Sequence, residues 1–192
     1  MIHLPLQHTI SYFARKHFLY RSNGWVFSDY RLSMFVGESP SWKKWYLPVD
    51  VQGLTILDVG AGEGESARFY LEHGAKKVIC IECDDVAFKN LALNAVGKPM
   101  ECYHKRFDLS DLKREHDFLK LDIEGGEAAL LDLKSHVSVP CVIELHSIEL
   151  AKAFYKKGYT LKNVMGCSTN IQFRLGNLKM FDKVKMWLCY AY

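Results

Sequence analysis

The chain has 192 residues, of which 49% are hydrophobic and 24% charged, and its formal net charge is +3. This length suits one domain that buries about 70% of its unfolded surface, and the composition is that of a globular rather than a disordered protein. No apolar run reaches the roughly 18 residues that cross a bilayer, and the first residues lack the layout of a secretory signal. We therefore expect a cytoplasmic protein that does not associate with membranes.

The positive charge is concentrated at the beginning of the chain. Residues 1–52 hold six Lys and Arg side chains against three acids, and 11 of the 25 aromatic residues, whereas the remainder has 19 basic and 19 acidic residues. Basic and aromatic side chains interleave on nucleic-acid surfaces, but they also form amphipathic covers in which lysine stems lie along apolar surface. We favour the second interpretation, with residues 1–50 as a cap segment over a domain formed by residues 51–192.

The predicted elements change in character at Leu54. Before it, the pattern predicts a short helix over 8–20 and an irregular stretch from a break at 22–24 to Pro48. The predicted strands after it are 54–59, 77–82, 100–105, 117–123, 139–145, 160–165 and 169–175. The predicted helices are 64–73, 84–96, 126–135 and 147–157, with Asp84 as an N-cap and Gly74 and Gly97 as C-terminal stops. Apolar strands that alternate with helices are typical of a parallel sheet covered on both faces, whose ligands bind at the carboxyl ends of the strands.

Three glycines follow the first of these strands, in the stretch Asp58-Val-Gly-Ala-Gly-Glu-Gly64. Glycines at this position allow a sharp turn and let a ligand approach without meeting a Cβ atom. Glu82 ends the second strand about twenty residues after the glycines, where a carboxylate can accept both hydroxyls of a ribose. The pattern predicts a nucleoside-binding crevice.

The acids beside the glycine loop indicate which nucleoside binds there. The spacing G-x-G-x-G differs from the dinucleotide pattern G-x-G-x-x-G, and Asp58 and Glu65 would repel a pyrophosphate. A cofactor with a cationic amine and no phosphate suits these acids. S-adenosyl-L-methionine fits that description, and we predict it as the cofactor.

The six cysteines are scattered through the predicted strands: Cys80, Cys83, Cys102, Cys141, Cys167 and Cys189. We expect reduced thiols that pack as small apolar residues of an intracellular protein. Cys80 and Cys83 form a C-x-x-C without a second pair, and a strand would point them to opposite faces, so no zinc site is expected.

Further motifs lie in Phe118-Leu-Lys-Leu-Asp-Ile-Glu-Gly-Gly-Glu127 and Val142-Ile-Glu-Leu-His146. Together with the glycine loop and Ile81-Glu82, they resemble the class I S-adenosylmethionine-dependent methyltransferases. Within that class the chain is most similar to the FkbM group, because of its D-x-E-G-x-E element and the E-x-H end of the fifth strand. The resemblance covers roughly residues 54–150. It implies a Rossmann-like α/β fold with a seven-stranded, mostly parallel sheet, an antiparallel last strand and helices on both faces.

The resemblance also implies roles for individual residues. The glycine loop would face the methionine part of the cofactor, with Asp58 ordering the loop and its amine. Glu82 would hold the ribose, and Asp108 would lie near the adenine amino group unless it only caps the following turn. The predicted cofactor-binding residues are Asp58, Gly60, Ala61, Gly62, Glu63, Gly64, Glu82, Cys83, Asp108 and Asp122.

Acids and one imidazole end the fourth and fifth strands, where the chemistry is expected. Methyl transfer to a hydroxyl requires a base, because the hydroxyl proton has to leave. The candidates for catalysis are Asp122, Glu124, Glu144 and His146. With an ordinary pKa of about 6.5, His146 is a suitable base, although it is equally compatible with a structural role. Glu127 is either a further candidate or a first-turn acid that suits the helix dipole.

Asp122, Glu144 and His146 are also chemically adequate ligands for a divalent metal that would acidify the acceptor hydroxyl. We do not expect a metal requirement, but these three residues are the alternative metal site.

The acceptor class is narrowed by one missing motif. Enzymes that methylate exocyclic amines usually end the fourth strand with [N/D]-P-P-[Y/F], whereas this chain has Leu121-Asp-Ile-Glu-Gly125. This difference argues against an amino-group acceptor of that type and leaves ring nitrogens, carbons and ribose hydroxyls of RNA open. The resemblance to the FkbM group, with its carboxylates and His146, implies methylation of a hydroxyl of a small molecule or glycan. The alternatives are an RNA methyltransferase that uses the basic cap segment, and a cofactor-binding interaction module without turnover.

Overall fold

The computed structural model describes residues 19–163 and 187–191. Its strands are β1 (Leu19–Ser22), β2 (Trp25–Ser28), β3 (Thr55–Val59), β4 (Lys77–Glu82), β5 (Met100–His104), β6 (Phe118–Leu121), β7 (Cys141–Leu145), β8 (Thr160–Asn163) and β9 (Trp187–Ala191). Its α-helices are α1 (Asp29–Tyr46), α2 (Glu65–Glu72), α3 (Asp85–Ala95) and α4 (Ile148–Lys156). Two short 3₁₀ helices span Leu109–Lys113 and Gly126–Asp132.

Five parallel strands form the centre of the sheet in the order β5-β4-β3-β6-β7. β9 pairs antiparallel with β7, and β8 pairs antiparallel with β9, so these two strands extend the sheet beyond β7. The chain runs outward from β3 to β5 and then returns to β6 on the other side of β3. This reversal creates a crevice at the carboxyl ends of β3 and β6, where ligands of such sheets bind. The α/β prediction with a central parallel sheet is confirmed.

Strand β3 is buried on both faces, which explains its continuous apolar sequence. Leu57 packs in one apolar cluster with Leu119 and Ile143. The neighbouring Ile56 points to the opposite face of the sheet and packs in a second apolar cluster, which includes Tyr70. A strand that is covered on both faces needs apolar residues at every position rather than at alternate ones.

The helix ends follow local capping chemistry. The Asp84 side chain accepts hydrogen bonds from the backbone amides of Val86 and Ala87, as an N-cap does, and Gly74 and Gly97 adopt positive φ angles just after α2 and α3. These three predictions are confirmed. The helix predicted over 126–135 is instead the shorter 3₁₀ helix, because the glycines at its start disfavour a stable α-helix.

The prediction of an irregular stretch from 22–24 to Pro48 was wrong. β1 and β2 form an antiparallel hairpin around Asn23 and Gly24, whose φ angles of 51° and 76° suit a tight hairpin turn. Helix α1 follows, and its N-cap Ser28 accepts a hydrogen bond from the amide of Arg31. The helix was missed because it contains Pro40, which is usually a helix breaker.

Several expectations concern residues outside the described ranges. They include most of the helix predicted over 8–20, the end of the strand predicted over 160–165, the strand predicted over 169–175, and Cys167. The last two residues of the predicted helix, Leu19 and Tyr20, belong to β1.

Two expectations about the environment of the protein can be compared with the described residues. Cys80, Cys83, Cys102 and Cys141 are thiols rather than disulfides. Among the helices of residues 19–163, none has both the length and the apolar character needed to cross a membrane.

Candidate functional site

A cavity of about 340 Å³ lies at the carboxyl ends of the central strands. Its volume is in the usual range of ligand pockets, roughly 300–1,000 Å³. Residues that follow or end β3, β4, β5 and β6 line it, together with one residue of α1. They are Arg31, Val59, Gly60, Ile81, Glu82, Cys83, Lys105, Arg106, Phe107, Asp122, Ile123, Glu124 and Gly126. The cavity therefore occupies the crevice that the strand order predicts.

Gly60 is required by the path of the glycine loop. Its φ is 75°, and a Cβ atom there would collide with the main-chain oxygen of Asp122. The amides of Gly60 and Ala61 donate hydrogen bonds to the carbonyl oxygen of Ile81, at 2.9 and 3.2 Å. The loop thus folds closely against the ends of β4 and β6, the two strands that flank β3, which at Gly60 is possible only without a side chain.

Glu82 lines the cavity at the end of β4, and its carboxylate is oriented by backbone amides. Oε2 accepts a hydrogen bond from the amide of Gly62 at 2.8 Å, and Oε1 accepts from the amides of Cys83 and Asp84, both at 2.7 Å. A carboxylate has about four acceptor positions, so the group retains capacity to accept a further hydrogen bond. The arrangement ties the glycine loop to β4 and presents a fixed anion at the cavity wall.

A buried ion pair lies beneath the loop. Asp58 and Lys120 are directly paired in the register of β3 and β6, and Lys120 Nζ lies 3.2 Å from Asp58 Oδ1. Lys120 Nζ also donates to the carbonyl oxygen of Gly60 at 2.9 Å, and the Ser66 hydroxyl donates to Asp58 Oδ2 at 2.6 Å. Asp58 is therefore linked to the Gly60 carbonyl through Lys120 and to the first turn of α2 through Ser66.

Sequence reasoning missed Lys120. Burial alone would lower the pKa of this amine, but the carboxylates of Asp58 and Asp122 raise it above its ordinary value, so the amine stays protonated. The signal was present in the sequence, because a lysine inside the apolar strand Phe118–Leu121 needs a buried partner.

Four carboxylates surround His146, and we refer to this group as the acidic cluster. His146 Nε2 lies 3.4 Å from Glu144 Oε1, 3.5 Å from Asp122 Oδ1 and 3.8 Å from Glu124 Oε2. His146 Nδ1 lies 3.4 Å from Glu127 Oε1. The four predicted catalytic residues are therefore brought together at the ends of β6 and β7, and Glu127 joins them on the buried side of the imidazole.

The acidic cluster changes the protonation of its members. Burial would lower the pKa of His146, but the carboxylates of Glu127 and Glu144 beside its ring nitrogens outweigh burial and raise the pKa to about 10. This raised pKa favours the protonated imidazole near neutral pH. Burial raises the pKa of Asp122 to about 7, since the nearby Lys120 ammonium group lowers this pKa by less than burial raises it. Asp122 is thus the member that changes its charge near neutral pH.

Glu127 is a buried anchor for His146. Its Oε1 accepts a hydrogen bond from the amide of Ile123 at 3.0 Å. Burial would raise the pKa of Glu127, but His146 and the Ile123 amide lower it below its ordinary value. The carboxylate is therefore ionised and can hold the imidazolium in place.

Tyr46 connects α1 to the acidic cluster and was not predicted. Its hydroxyl donates a hydrogen bond to Glu144 Oε2 at 2.8 Å. Burial, and then the nearby Glu144, raise the pKa of Tyr46 well above its ordinary value, so the phenol remains protonated and acts as a donor. Glu144 is consequently held between an aromatic hydroxyl on one side and His146 on the other.

The acidic cluster contains donor atoms that are close enough together to hold a metal ion. Asp122, Glu124 and His146 each offer one ligand atom, and these atoms lie within 4.8 Å of one another. This set contains Glu124 in place of the predicted Glu144, whose Oε1 nevertheless lies 3.4 Å from His146 Nε2. Oxygen and imidazole donors suit a hard or borderline divalent cation, provided that the imidazole gives up its proton.

The predicted cofactor residues fall into three groups. Gly60, Glu82, Cys83 and Asp122 line the cavity. Those that build or support the loop behind it are Asp58, Ala61, Gly62, Glu63 and Gly64. Asp108 instead caps the 3₁₀ helix Leu109–Lys113 by accepting from the Ser110 amide at 2.9 Å, and Lys105 Nζ lies 2.7 Å from its Oδ2. Phe107, which precedes Asp108 and was not predicted, lines the cavity.

Comparison with known proteins concerns the fold. No family model matches the chain, and no curated protein matches it. The magnesium protoporphyrin IX methyltransferase of Synechocystis PCC 6803, solved with bound S-adenosylmethionine, superposes with a TM-score of 0.55 at 13% identity, covering 85% of this chain and 81% of that chain. The ribosomal protein L11 methylase of Lactobacillus delbrueckii subsp. bulgaricus gives 0.51 at 18% identity, over 88% and 82%. A provisionally named RNA methyltransferase of Pyrococcus horikoshii gives 0.52 at 18% identity, over 81% and 82%. The chain therefore has the α/β Rossmann-like fold of the S-adenosylmethionine-dependent methyltransferases.

Proposed function

We propose that the chain is an S-adenosylmethionine-dependent methyltransferase whose cofactor binds in the cavity at the ends of β3 to β6. The observation that carries the proposal is the Glu82 carboxylate, fixed by three backbone amides beside a loop that only glycine can form at position 60. A ribose requires a fixed carboxylate that accepts its hydroxyls, and the attached amino acid requires a backbone loop that it can approach closely. The fold supports the same conclusion.

The cofactor has a natural orientation in this cavity. Its ribose hydroxyls would bind Glu82, with Cys83 beside the sugar. Its adenine would extend toward the end of β5, where Phe107 offers an aromatic face and Asp108 follows. Its methionine part would extend along the glycine loop, and its positively charged sulfonium would face Asp122.

The bound cofactor supplies an activated methyl group, so the protein has to align the acceptor and remove its proton. We assign the base to Asp122, because its pKa of about 7 lets it accept a proton near neutral pH, and because it lines the cavity. His146 would remain a cation that holds the acceptor oxygen or Asp122 in position. Glu144 and Glu124 would contact the acceptor from either side, with Glu144 oriented by Tyr46.

The proposal for the acceptor class is based on the residues that follow β6. We propose a hydroxyl of a small molecule or glycan, as the likeness to the FkbM group implies, because acids and no proline follow this strand. A metal is not part of the proposal.

Calorimetry with S-adenosylmethionine and S-adenosylhomocysteine tests the cofactor assignment. Glu82→Gln keeps the shape of the side chain but removes its charge, and we expect affinity for both ligands to fall about 10- to 100-fold, since hydrogen bonds to a charged group contribute about 1.5–3 kcal/mol. Glu149→Gln, an exposed first-turn acid of α4, is the matched control and should bind like the parent. If the parent gives no heat with either ligand, the proposed function is wrong.

An RNA acceptor is the second candidate. Lys105 and Arg106 line the cavity beside Phe107, so a phosphate chain could reach the site along this wall. A gel shift with tRNA decides between the acceptors: binding at low salt that falls steeply with added salt supports RNA, and no binding at low salt excludes it. The third alternative is a cofactor-binding interaction module without turnover. Conversion of S-adenosylmethionine to S-adenosylhomocysteine by the protein in the presence of a cell extract would exclude it.

A further inference from the structure

Two cysteines lie side by side on neighbouring strands of the sheet. Cys80 of β4 and Cys102 of β5 are directly paired in the register of these parallel strands, and both are free thiols. We propose that Cys80 and Cys102 form a reversible disulfide when the protein meets a hydroperoxide, so that the pair is a site of oxidative modification. The inference uses no property of a bound cofactor and is independent of the proposed function.

The register brings both side chains to one face of the sheet, at a separation that a disulfide can span. Neighbouring strands lie about 4.8 Å apart, and the two α-carbons of a disulfide are usually about 4.4–6.8 Å apart. Cys80 belongs to the apolar cluster that also contains Ile56 and Leu91, and Cys102 packs against the same cluster. The strands therefore do not have to separate or slide for the bond to form.

The two thiols differ in acidity, and this difference assigns them different roles. The neighbouring Cys80 thiol lowers the pKa of Cys102, although burial and the carboxylates of Asp58 and Glu101 oppose this effect. The nearby Cys102, and then burial, raise the pKa of Cys80 well above its ordinary value. Cys102 is therefore the more readily ionised sulfur, and the thiolate is the form that reacts with an oxidant.

Cys102 is also the more accessible of the two thiols. β5 is an edge strand of the described sheet, and Cys102 is partly exposed there, whereas Cys80 is 0% exposed. Cysteines that react with oxidants combine a low pKa with access to solvent, and many lie next to a second cysteine that attacks the oxidised sulfur. The pair has this arrangement, with Cys102 as the reacting thiol and Cys80 as the second one.

The oxidation takes place in two steps, with hydrogen peroxide as the oxidant. The Cys102 thiolate attacks one peroxide oxygen, the O–O bond breaks, and the leaving hydroxide takes up the proton that Cys102 released, which gives water and a sulfenic acid. The Cys80 sulfur then attacks the sulfenic sulfur, the S–O bond breaks as the S–S bond forms, and the leaving hydroxide takes the Cys80 proton as a second water. Two thiols and one peroxide thus give one disulfide and two waters. A dithiol reductant reverses the bond by thiol–disulfide exchange.

Peptide mass spectrometry after oxidation tests the proposal. The folded protein is treated with hydrogen peroxide, its remaining thiols are alkylated, and it is digested with trypsin, which gives peptides 78–89 and 90–105. These peptides hold Cys80 and Cys102, and they should appear as one linked species that a dithiol reductant separates. A non-reducing gel that shows only monomer establishes that the link lies within one chain. Cys80→Ala and Cys102→Ala should each abolish the linked species.

Two variants make the assignment specific. Peptide 78–89 also contains Cys83, so Cys83→Ser is the matched control and should form the linked species as fully as the parent. In Cys80→Ala the sulfenic acid on Cys102 has no neighbouring thiol to attack it, and dimedone should trap it in larger amount than in the parent.

The inference is overturned if the folded parent gives no linked species at a peroxide dose that oxidises Cys102. It is also overturned if Cys83→Ser abolishes the link, or if dimedone traps no more of Cys102 in Cys80→Ala than in the parent.

Discussion

Replacement of Lys120 by Met should reveal how the buried ion pair supports both stability and chemistry. Methionine has nearly the length of lysine and no charge, so the substitution removes the cation without opening a large cavity. Asp58 would lose the ammonium group at 3.2 Å and the Gly60 carbonyl would lose its donor at 2.9 Å. The charge on Asp58, whose side chain is 0% exposed, would then lack a compensating partner.

The expected loss of stability is large. Removing one partner of a buried ion pair costs about 3–5 kcal/mol, because the remaining charge is left in a medium of low polarity. Asp122 should respond as well: at 3.9 Å from Lys120 Nζ, a Coulomb energy of about 4 kcal/mol with an effective dielectric constant of about 20 sets an upper bound of about three pH units on the further rise of its pKa. The pH at which methyl transfer reaches half of its maximum should therefore move upward.

Urea unfolding followed by tryptophan fluorescence measures the first effect, and a pH–rate profile measures the second. Asp58→Asn combined with Lys120→Met is the control, since removing both charges should cost less than the sum of the single substitutions. A free energy of unfolding for Lys120→Met within about 1 kcal/mol of the parent would refute the assignment of a buried, mutually dependent pair.

Two further predictions concern His146 and Gly60. Because the folded-state pKa of His146 is raised to about 10, its protonation stabilises the fold fully below the unfolded-state pKa of about 6.5, and this contribution is lost as the pH rises through 10. His146→Gln should therefore lower the free energy of unfolding most near pH 6 and hardly change it above pH 10. Urea unfolding of the parent and the variant at both pH values measures this, and an equal loss of stability at the two pH values would contradict the prediction. Gly60→Ala should abolish cofactor binding because its Cβ collides with the main chain of Asp122. Gly97→Ala, which has a similar φ but open space around it, should cost only about 1 kcal/mol of stability and bind normally.

Sequence reasoning was most successful where local chemistry decides the structure. Strands β3 to β7 were predicted because buried parallel strands must be apolar, and the ends of α2 and α3 because capping residues act within a few positions, whereas β9 was not predicted. The rule that parallel strands carry their chemistry at their carboxyl ends placed Asp122 and His146 at the ends of the fourth and fifth strands, but it did not predict that their side chains come within 3.5 Å of each other.

The features that were missed depend on contacts between distant residues. The hydrogen bond from Tyr46 to Glu144 joins positions 98 apart in the chain. The charge state of His146 results from four carboxylates on three different segments, and none of them alone predicts an imidazolium. Arg31 lines the cavity from the first turn of α1, a helix that was not predicted because it contains Pro40.

Helix α1 is better understood as a structural part of the site than as a cover that opens over it. Trp42 and Tyr46 belong to the same apolar cluster as Ile56 and Tyr70, so the helix completes one face of the sheet. Its first turns bring Arg31 to the glycine loop, and its last turn brings Tyr46 to Glu144. A ligand that binds at one end of α1 and holds the helix in place also favours the arrangement of the residues at the other end, because both ends belong to one packed helix. The cofactor and acceptor ends of the site are therefore expected to bind their ligands cooperatively.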